Sequence, residues 1–232
     1  MGRNLRRVSG LCTGVVLALS GLAMAAESDL RLVRAAANQD RTAVRALIKA
    51  GVNVNTPRAD GATALLWATH WNDLEMVNLL LAAGANVNAA DDHGVTPMAR
   101  AAENADVAMI ERLLKAKANP NAAETSGRTP LMIAAKTGSL AAVKTLLANG
   151  ANVNAATTLD KNTALMWAIA EGHTEIAKVL VEGQADVRAV TARGFTPLMH
   201  AARTGNVEMA RTLLAAGVNV NDLAPDGTHV LP

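Results

Sequence analysis

Apolar and polar positions alternate along this chain in a long-period rhythm. In the stretch from Thr196 to Gly217, Leu198, Ala201 and Ala202 fall on one narrow face. After Gly205, residues Val207, Met209, Ala210, Leu213 and Leu214 follow at helical spacing. Thr196 suits an N-cap and Pro197 a first helical turn, where a missing N–H costs nothing. Gly217 is placed to end the second segment in a left-handed conformation, and Asn219, Asn221 and Gly227 supply turn chemistry. The pattern predicts two short helices followed by a loop. The unit recurs: Thr63, Thr96, Thr129, Thr163 and Thr196 open similar segments at intervals of 33, 33, 34 and 33 residues. The units close on Val87-Asn88, Pro120-Asn121, Val153-Asn154, Val187-Arg188 and Val220-Asn221. An earlier unit, ending at Val54-Asn55, lacks the opening threonine.

The openings Thr96-Pro97-Met98, Thr129-Pro130-Leu131 and Thr196-Pro197-Leu198, at this period, resemble the ankyrin repeat and its T-P-L-H-x-A hallmark. The resemblance runs from about residue 28 to 232 and implies an all-α solenoid of stacked helix–turn–helix units with projecting loops. The units are 28–59, 60–92, 93–125, 126–159, 160–192 and 193–225, with 226–232 beginning a truncated seventh. Three departures carry expectations. Leu66, Ala99, Met132, Met166 and Met199 replace the hallmark histidine, so apolar packing must replace its polar contacts. Lys117 and Gln184 stand where the helix-ending glycine is expected, with Gly183 one position early. Around Asp160-Lys161-Asn162 one residue is added and the loop glycine is missing, so that loop should differ in shape.

A solenoid needs polar outer faces at its ends. Asp29, Arg31, Arg34, Asn38, Gln39, Asp40, Arg41 and Arg45 supply one at the start. No polar cap follows Val207–Leu214, and Val230-Leu231-Pro232 begins another helix position. The expectation is a piece of a longer protein, the alternative a last face covered by a partner.

Half of the residues are apolar and 2% are aromatic, which suits closely packed small-residue helices better than a β-sandwich. The formal charge of +2 is misleading. Three of the 22 basic residues, Arg3, Arg6 and Arg7, lie in the first ten, and beyond residue 25 the acids slightly outnumber the bases. Nothing there suggests a nucleic-acid surface. Those arginines, the apolar stretch from Leu11 to Ala23 and the small-x-small Ala23-Met24-Ala25 read as a signal peptide, residues 1–25, cleaved after Ala25. The expected address is periplasmic or secreted. The stretch is short against the ~20 residues of a spanning helix, so no membrane is expected to hold the mature chain. Cys12, the one cysteine, falls inside the leader and excludes disulfides and cysteine metal sites from the mature protein.

No metalloprotease, phosphate-loop or nucleophile-elbow motif occurs, so the expectation is a non-enzyme with no cofactor or metal. His173, after a mid-repeat glycine, reads as structural, and His93 and His229 as solvated loop residues. The candidate site comes from aligning the first helices. One position holds Arg34, Trp67, Arg100, Ile133, Trp167 and His200. Residues three and four later share its face: His70, Trp71, Glu103, Asn104, Lys136, Thr137, Glu171, Arg203 and Thr204. By the family resemblance this face lines the concave groove that receives protein partners. Trp71, one turn after Trp67, is the leading anchor, although Trp67 and Trp167 equally fit gap-filling between neighbouring helices. A protein partner is expected, with a small ligand disfavoured. The alternative is that the chain is the recognition arm of a larger exported enzyme. Leu147, in a central second helix, is taken as a core position.

Overall fold

The computed structural model describes residues 30–221. The leader (1–25), the truncated seventh unit (226–232) and Leu231 lie outside the described residues. Among those described, helices pair unit by unit. They are α1 (30–37) with α2 (Arg41–Lys49), α3 (Ala64–His70) with α4 (Leu74–Ala82), and α5 (Pro97–Glu103) with α6 (Val107–Lys115). Then come α7 (Pro130–Thr137) with α8 (Leu140–Ala148), α9 (Ala164–Ala170) with α10 (Thr174–Glu182), and α11 (Pro197–Arg203) with α12 (Val207–Ala215). No strand forms among the described residues, and the β-structure there is one isolated antiparallel bridge, Ala156–Thr163.

The local chemistry is repeated. Thr63, Thr96, Thr129, Thr163 and Thr196 each accept, through Oγ1, the backbone N–H three residues on, at 3.2–3.4 Å. The hallmark histidine sites are filled by apolar side chains. Leu66, Ala99, Met132 and Met166 are buried and Met199 is half-buried. Ala68, Ala101, Ala134, Ala168 and Ala201 are fully buried at the small-residue position, which lets each first helix approach the next. First helices stack on first helices from α3 to α11, and second helices stack alongside, so the core runs the length of the stack.

In the second helices the leucine pairs resolve to one side: Leu113, Leu146 and Leu213 are completely buried, whereas Leu114 and Leu147 are half-buried and Leu214 is exposed. Leu147 is therefore not the central core residue. A helix turns 100° per residue, so the core-facing stripe falls on Leu146.

Asparagines latch each loop to the next. Asn121 Oδ1 accepts the Asn152 N–H at 2.7 Å, and its Nδ2 donates to the Gly150 carbonyl at 2.9 Å. Asn55, Asn88 and Asn154 repeat both bonds. Loop tips are joined by backbone bonds from Asp92 to Asp60, Thr125 to His93, Thr158 to Ser126 and Ala192 to Asp160, all at 2.9–3.0 Å. At Gly127 the tip comes so close that a Cβ would sit 2.7 Å from the Thr158 nitrogen. The equivalent position in the lengthened loop is Lys161, which adopts the same left-handed backbone (φ 57°). That loop closes through Thr157 N–H to the Asn162 carbonyl, one residue wider than its neighbours, so its shape differs as expected. Lys117 (φ 69°) and Gln184 (φ 67°) likewise take the left-handed position after the second helix, and Gly183 does not.

Candidate partner-binding face

Apart from His200 and Arg203, which line a recess between units 5 and 6, the expected site residues fall into four kinds of environment. Ile133 is 2% exposed and belongs to the core, so it cannot face a partner as the alignment suggested. Trp67, Arg100 and Trp167 in the equivalent position are larger and stay half-buried, whereas the Ile133 side chain is closed within the core. A second group is bonded within the stack. Asn104 Nδ2 donates to the Thr69 and His70 carbonyls at 2.9 and 3.4 Å, joining unit 3 to unit 2. Thr137 Oγ1 donates to the Ala134 carbonyl, and Thr204 Oγ1 to those of His200 and Ala201. These hydroxyls finish their helices.

The third group is an aromatic cluster. Trp67 and Trp71 stack at 6.2 Å, and His70 stands edge-on to both, at 5.5 and 4.7 Å. The Arg58 guanidinium lies 5.6 Å from the Trp67 ring centre. Trp67 is half-buried and Trp71 is 41% exposed. Trp71 is also a fastener: its Nε1–H donates to the Ala37 carbonyl at 3.0 Å, closing the end of α1. Its role is therefore divided between unit-to-unit contact and exposed surface. Trp167 is half-buried under Lys136, whose Nζ lies 4.4 Å from the ring centre. Glu171 is exposed at the end of α9.

The fourth group is ionic. Arg100 Nη1 meets Glu103 at 2.7 Å, and Arg128 Nη2 bridges Glu103 at 3.1 Å and Glu124 at 2.9 Å. Hydrogen bonding to Glu124, with the charges of Glu124 and Glu103 behind it, holds the Arg128 guanidinium above its ordinary pKa. Arg128 and Glu124 come from the adjoining loop, and alignment of the first helices alone does not bring them in. A basic residue two places after the loop glycine's predecessor, with an acid four residues before it, is the sequence signal that could have found them.

Two recesses open at equivalent positions on this face. The first, between units 2 and 3, holds about 220 Å³ and is lined by Asp60, Leu66, Trp67, His70, Asp91 and Arg100, with Ala62. The second, between units 5 and 6, holds about 260 Å³ and is lined by Asp160, Asn162, Thr191, Arg193, Phe195, His200 and Arg203. His200 is 9% exposed. Its burial first, and the Arg203 charge second, push its imidazole below the ordinary value, so it is neutral at pH 7. Three ring nitrogens, those of Trp67, Trp167 and His200 Nε2, are shut from solvent without a hydrogen-bond partner. His173 is structural, as read. Its Nε2 lies 3.1 Å from the Lys136 carbonyl, and its ring fills the space over Gly138.

Among the described residues no group of three His, Cys, Asp or Glu side chains could hold a metal. No helix there is long and apolar enough to cross a membrane.

A family model described as ankyrin repeats (3 copies) matches residues 32–124, 90–157 and 131–224. The ankyrin repeat domain of human ASB11 is similar in structure, with a TM-score of 0.74 and 30% sequence identity, covering 86% of this chain and 89% of that one. No curated protein sequence matches the chain. The fold is typically a non-catalytic scaffold for protein–protein interaction, and with 623 matching chains of known structure it does not single out a partner. From a repeat that spans residue 32 to residue 224, we conclude that the chain belongs to the ankyrin-repeat family.

Proposed function

We propose that this protein is an exported scaffold that binds a protein partner along its first-helix face and loop tips. The observation that carries the reading is the paired recesses, which bring aromatic and charged side chains to one register on one face. Large apolar groups are exposed beside them: Trp71 at the first, and Phe195 and the loop-tip Leu159 (83% exposed) at the second. A lone chain gains nothing by exposing such groups, and a buried aromatic anchor such as Trp71 is worth ~2 kcal/mol or more at an interface hot spot. Export is supported by Arg3, Arg6, Arg7, the apolar stretch to Ala23 and the small residues at Ala23 and Ala25.

The test uses a partner cross-linked and recovered from the exported fraction. Replacing His70, Leu159 and Glu171 together by alanine touches exposed side chains that carry no hydrogen bond or ion pair in the stack, and removes within it the edge-on contacts of His70 with Trp67 and Trp71. It should weaken binding at least tenfold. Lys49→Ala, on a second helix, should leave binding unchanged. Equal affinity for both variants would overturn the face assignment. N-terminal sequencing of the exported protein should begin at Ala26, and an intact leader on a cytoplasmic protein would overturn the export reading.

A further inference from the structure

We infer that the recess between units 5 and 6 is a carboxylate receptor, which takes an acidic side chain or free C-terminus of the partner between His200, Arg203 and Arg193. This rests on the proposed function and names what that face recognises. The argument begins with a tautomer. Arg203 Nη2 lies 3.3 Å from His200 Nδ1. A guanidinium can only donate, so Nδ1 is the acceptor and the neutral ring carries its proton on Nε2. That Nε2–H is shut from solvent and has no acceptor. A buried donor left unmade is costly, and native proteins rarely keep one without a use. The missing component is an acceptor.

The equivalent place in unit 3 shows what kind. Arg100 occupies the His200 position and Glu103 the Arg203 position, and the Glu103 carboxylate bonds Arg100 and Arg128. In unit 6 a guanidinium has replaced that carboxylate. Among the described residues, no carboxylate lies within salt-bridge distance of Arg203 or Arg193. Two guanidiniums line the recess against the single carboxylate of Asp160. An entering carboxylate would restore between chains the ion pair that Glu103 makes within one, with Arg203 as a planar donor and Nε2–H as a second once the His200 ring turns to uncover it. The Arg203 guanidinium also lies 5.9 Å from the Phe195 ring centre, which holds it in place on the wall of the recess. At about 260 Å³ the space falls below the ~300 Å³ at which small-molecule pockets begin, and it suits one side chain.

The experiment titrates the full protein with three capped tripeptides, followed by ¹H–¹⁵N NMR of the His200 ring and the Arg203 guanidinium. Ac-Ala-Glu-Ala-NH₂ carries a side-chain carboxylate, Ac-Ala-Ala-Ala-OH a terminal one, and Ac-Ala-Gln-Ala-NH₂ neither. The free protein should show the Nε2–H tautomer. The Glu peptide or the free-acid peptide should shift the His200 and Arg203 signals saturably, and whichever binds tighter identifies the source. The Gln peptide should give less than a tenth of that affinity. Arg203→Gln should abolish the response, and Arg193→Gln, at an exposed position, should weaken it at least threefold should the first variant unfold. An Nδ1–H tautomer, equal responses to Glu and Gln, no response to any peptide, or an undiminished response in a folded Arg203→Gln protein would each overturn the receptor. These readouts involve no partner. A failed receptor beside intact loss of binding in the His70, Leu159 and Glu171 variant leaves the scaffold reading standing.

Discussion

The junction between units 3 and 4 and the junction between units 5 and 6 are built from equivalent positions but closed by different chemistry. At the first, Asn121 makes both latch bonds and Arg128 bridges two carboxylates. At the second, Arg188 stands in the latch position and donates to the Gly217 carbonyl at 2.6 Å. A guanidinium has no acceptor to offer the following loop's N–H, so half of the latch is lost. Beyond that junction Val207 is 63% exposed and Leu214 43%. Repeat stability is a sum of unit and neighbour terms, so these differences grade the stack. The centre satisfies itself, whereas the sixth unit leaves a polar group unmet at His200 on the first-helix face and apolar groups exposed on α12.

The largest effect should come from the central core. Leu146→Ala removes a completely buried side chain and should cost ~2–5 kcal/mol in urea denaturation, whereas Leu214→Ala should cost less than ~1 kcal/mol. Equal costs would erase the contrast between centre and end. Gly138→Ala should come next. Gly138 is left-handed (φ 82°), and an added Cβ would lie 2.7 Å from the His173 ring. Left-handed strain of ~1–2 kcal/mol adds to ~1 kcal/mol for the displaced His173 bond. A loss no larger than the ~1–2 kcal/mol of left-handed strain alone would show that His173 is free to move aside.

The repeat was legible because its signals are local: threonine caps, Pro at the first turn and alanines at a fixed offset each act within a few residues. The apolar replacement of the hallmark histidine was legible for the same reason. What escaped depends on three-dimensional register. Leu146 and Leu147 differ by one residue in a nine-residue helix, and no cap fixes which faces inward. Ile133 aligns with tryptophans and arginines but is too short to reach past its neighbours. The Glu103 network draws on residues 25 positions apart, and the Trp71 tie to Ala37 spans 34. Aligning the first helices confines the candidate site to one face, but which members are satisfied within the stack is a property of pairs across units.

The latch gives the third contrast. Asn121→Ala removes two exposed hydrogen bonds and should cost ~1–2 kcal/mol, while Arg188→Ala removes one and should cost ~0.5–1 kcal/mol. Hydrogen exchange should localise the two losses differently. The Asn121 change should speed exchange on both sides of the junction, in α5 to α8, and the Arg188 change in α11 and α12 alone. Faster exchange in α11 and α12 from both variants would mean that the stack unfolds as one unit and that the grading is absent.

The smallest effect separates the two junctions by pH. Arg100 keeps its charge at every accessible pH, so the unit 3 face should not respond. His200 at the equivalent place titrates. Its folded pKa lies below the ordinary value of ~6.5, because burial and then the Arg203 charge disfavour the imidazolium. The unfolded chain therefore binds its proton at higher pH than the folded chain does. Stability is full above ~6.5, falls as pH drops from there toward the folded pKa, and is flat below it. The readout is hydrogen exchange in α11 and α12 between pH 7.5 and 5.5, corrected for intrinsic rates, with α5 as the internal reference. Protection of α11 should fall relative to α5 as the solution is acidified, and His200→Gln should remove that difference. If protection of α11 rises on acidification, protonated His200 has gained a partner, such as the Asp160 carboxylate that lines the same recess. The ring would then be a donor already satisfied by its own chain, and unit 6 would close on itself as unit 3 does.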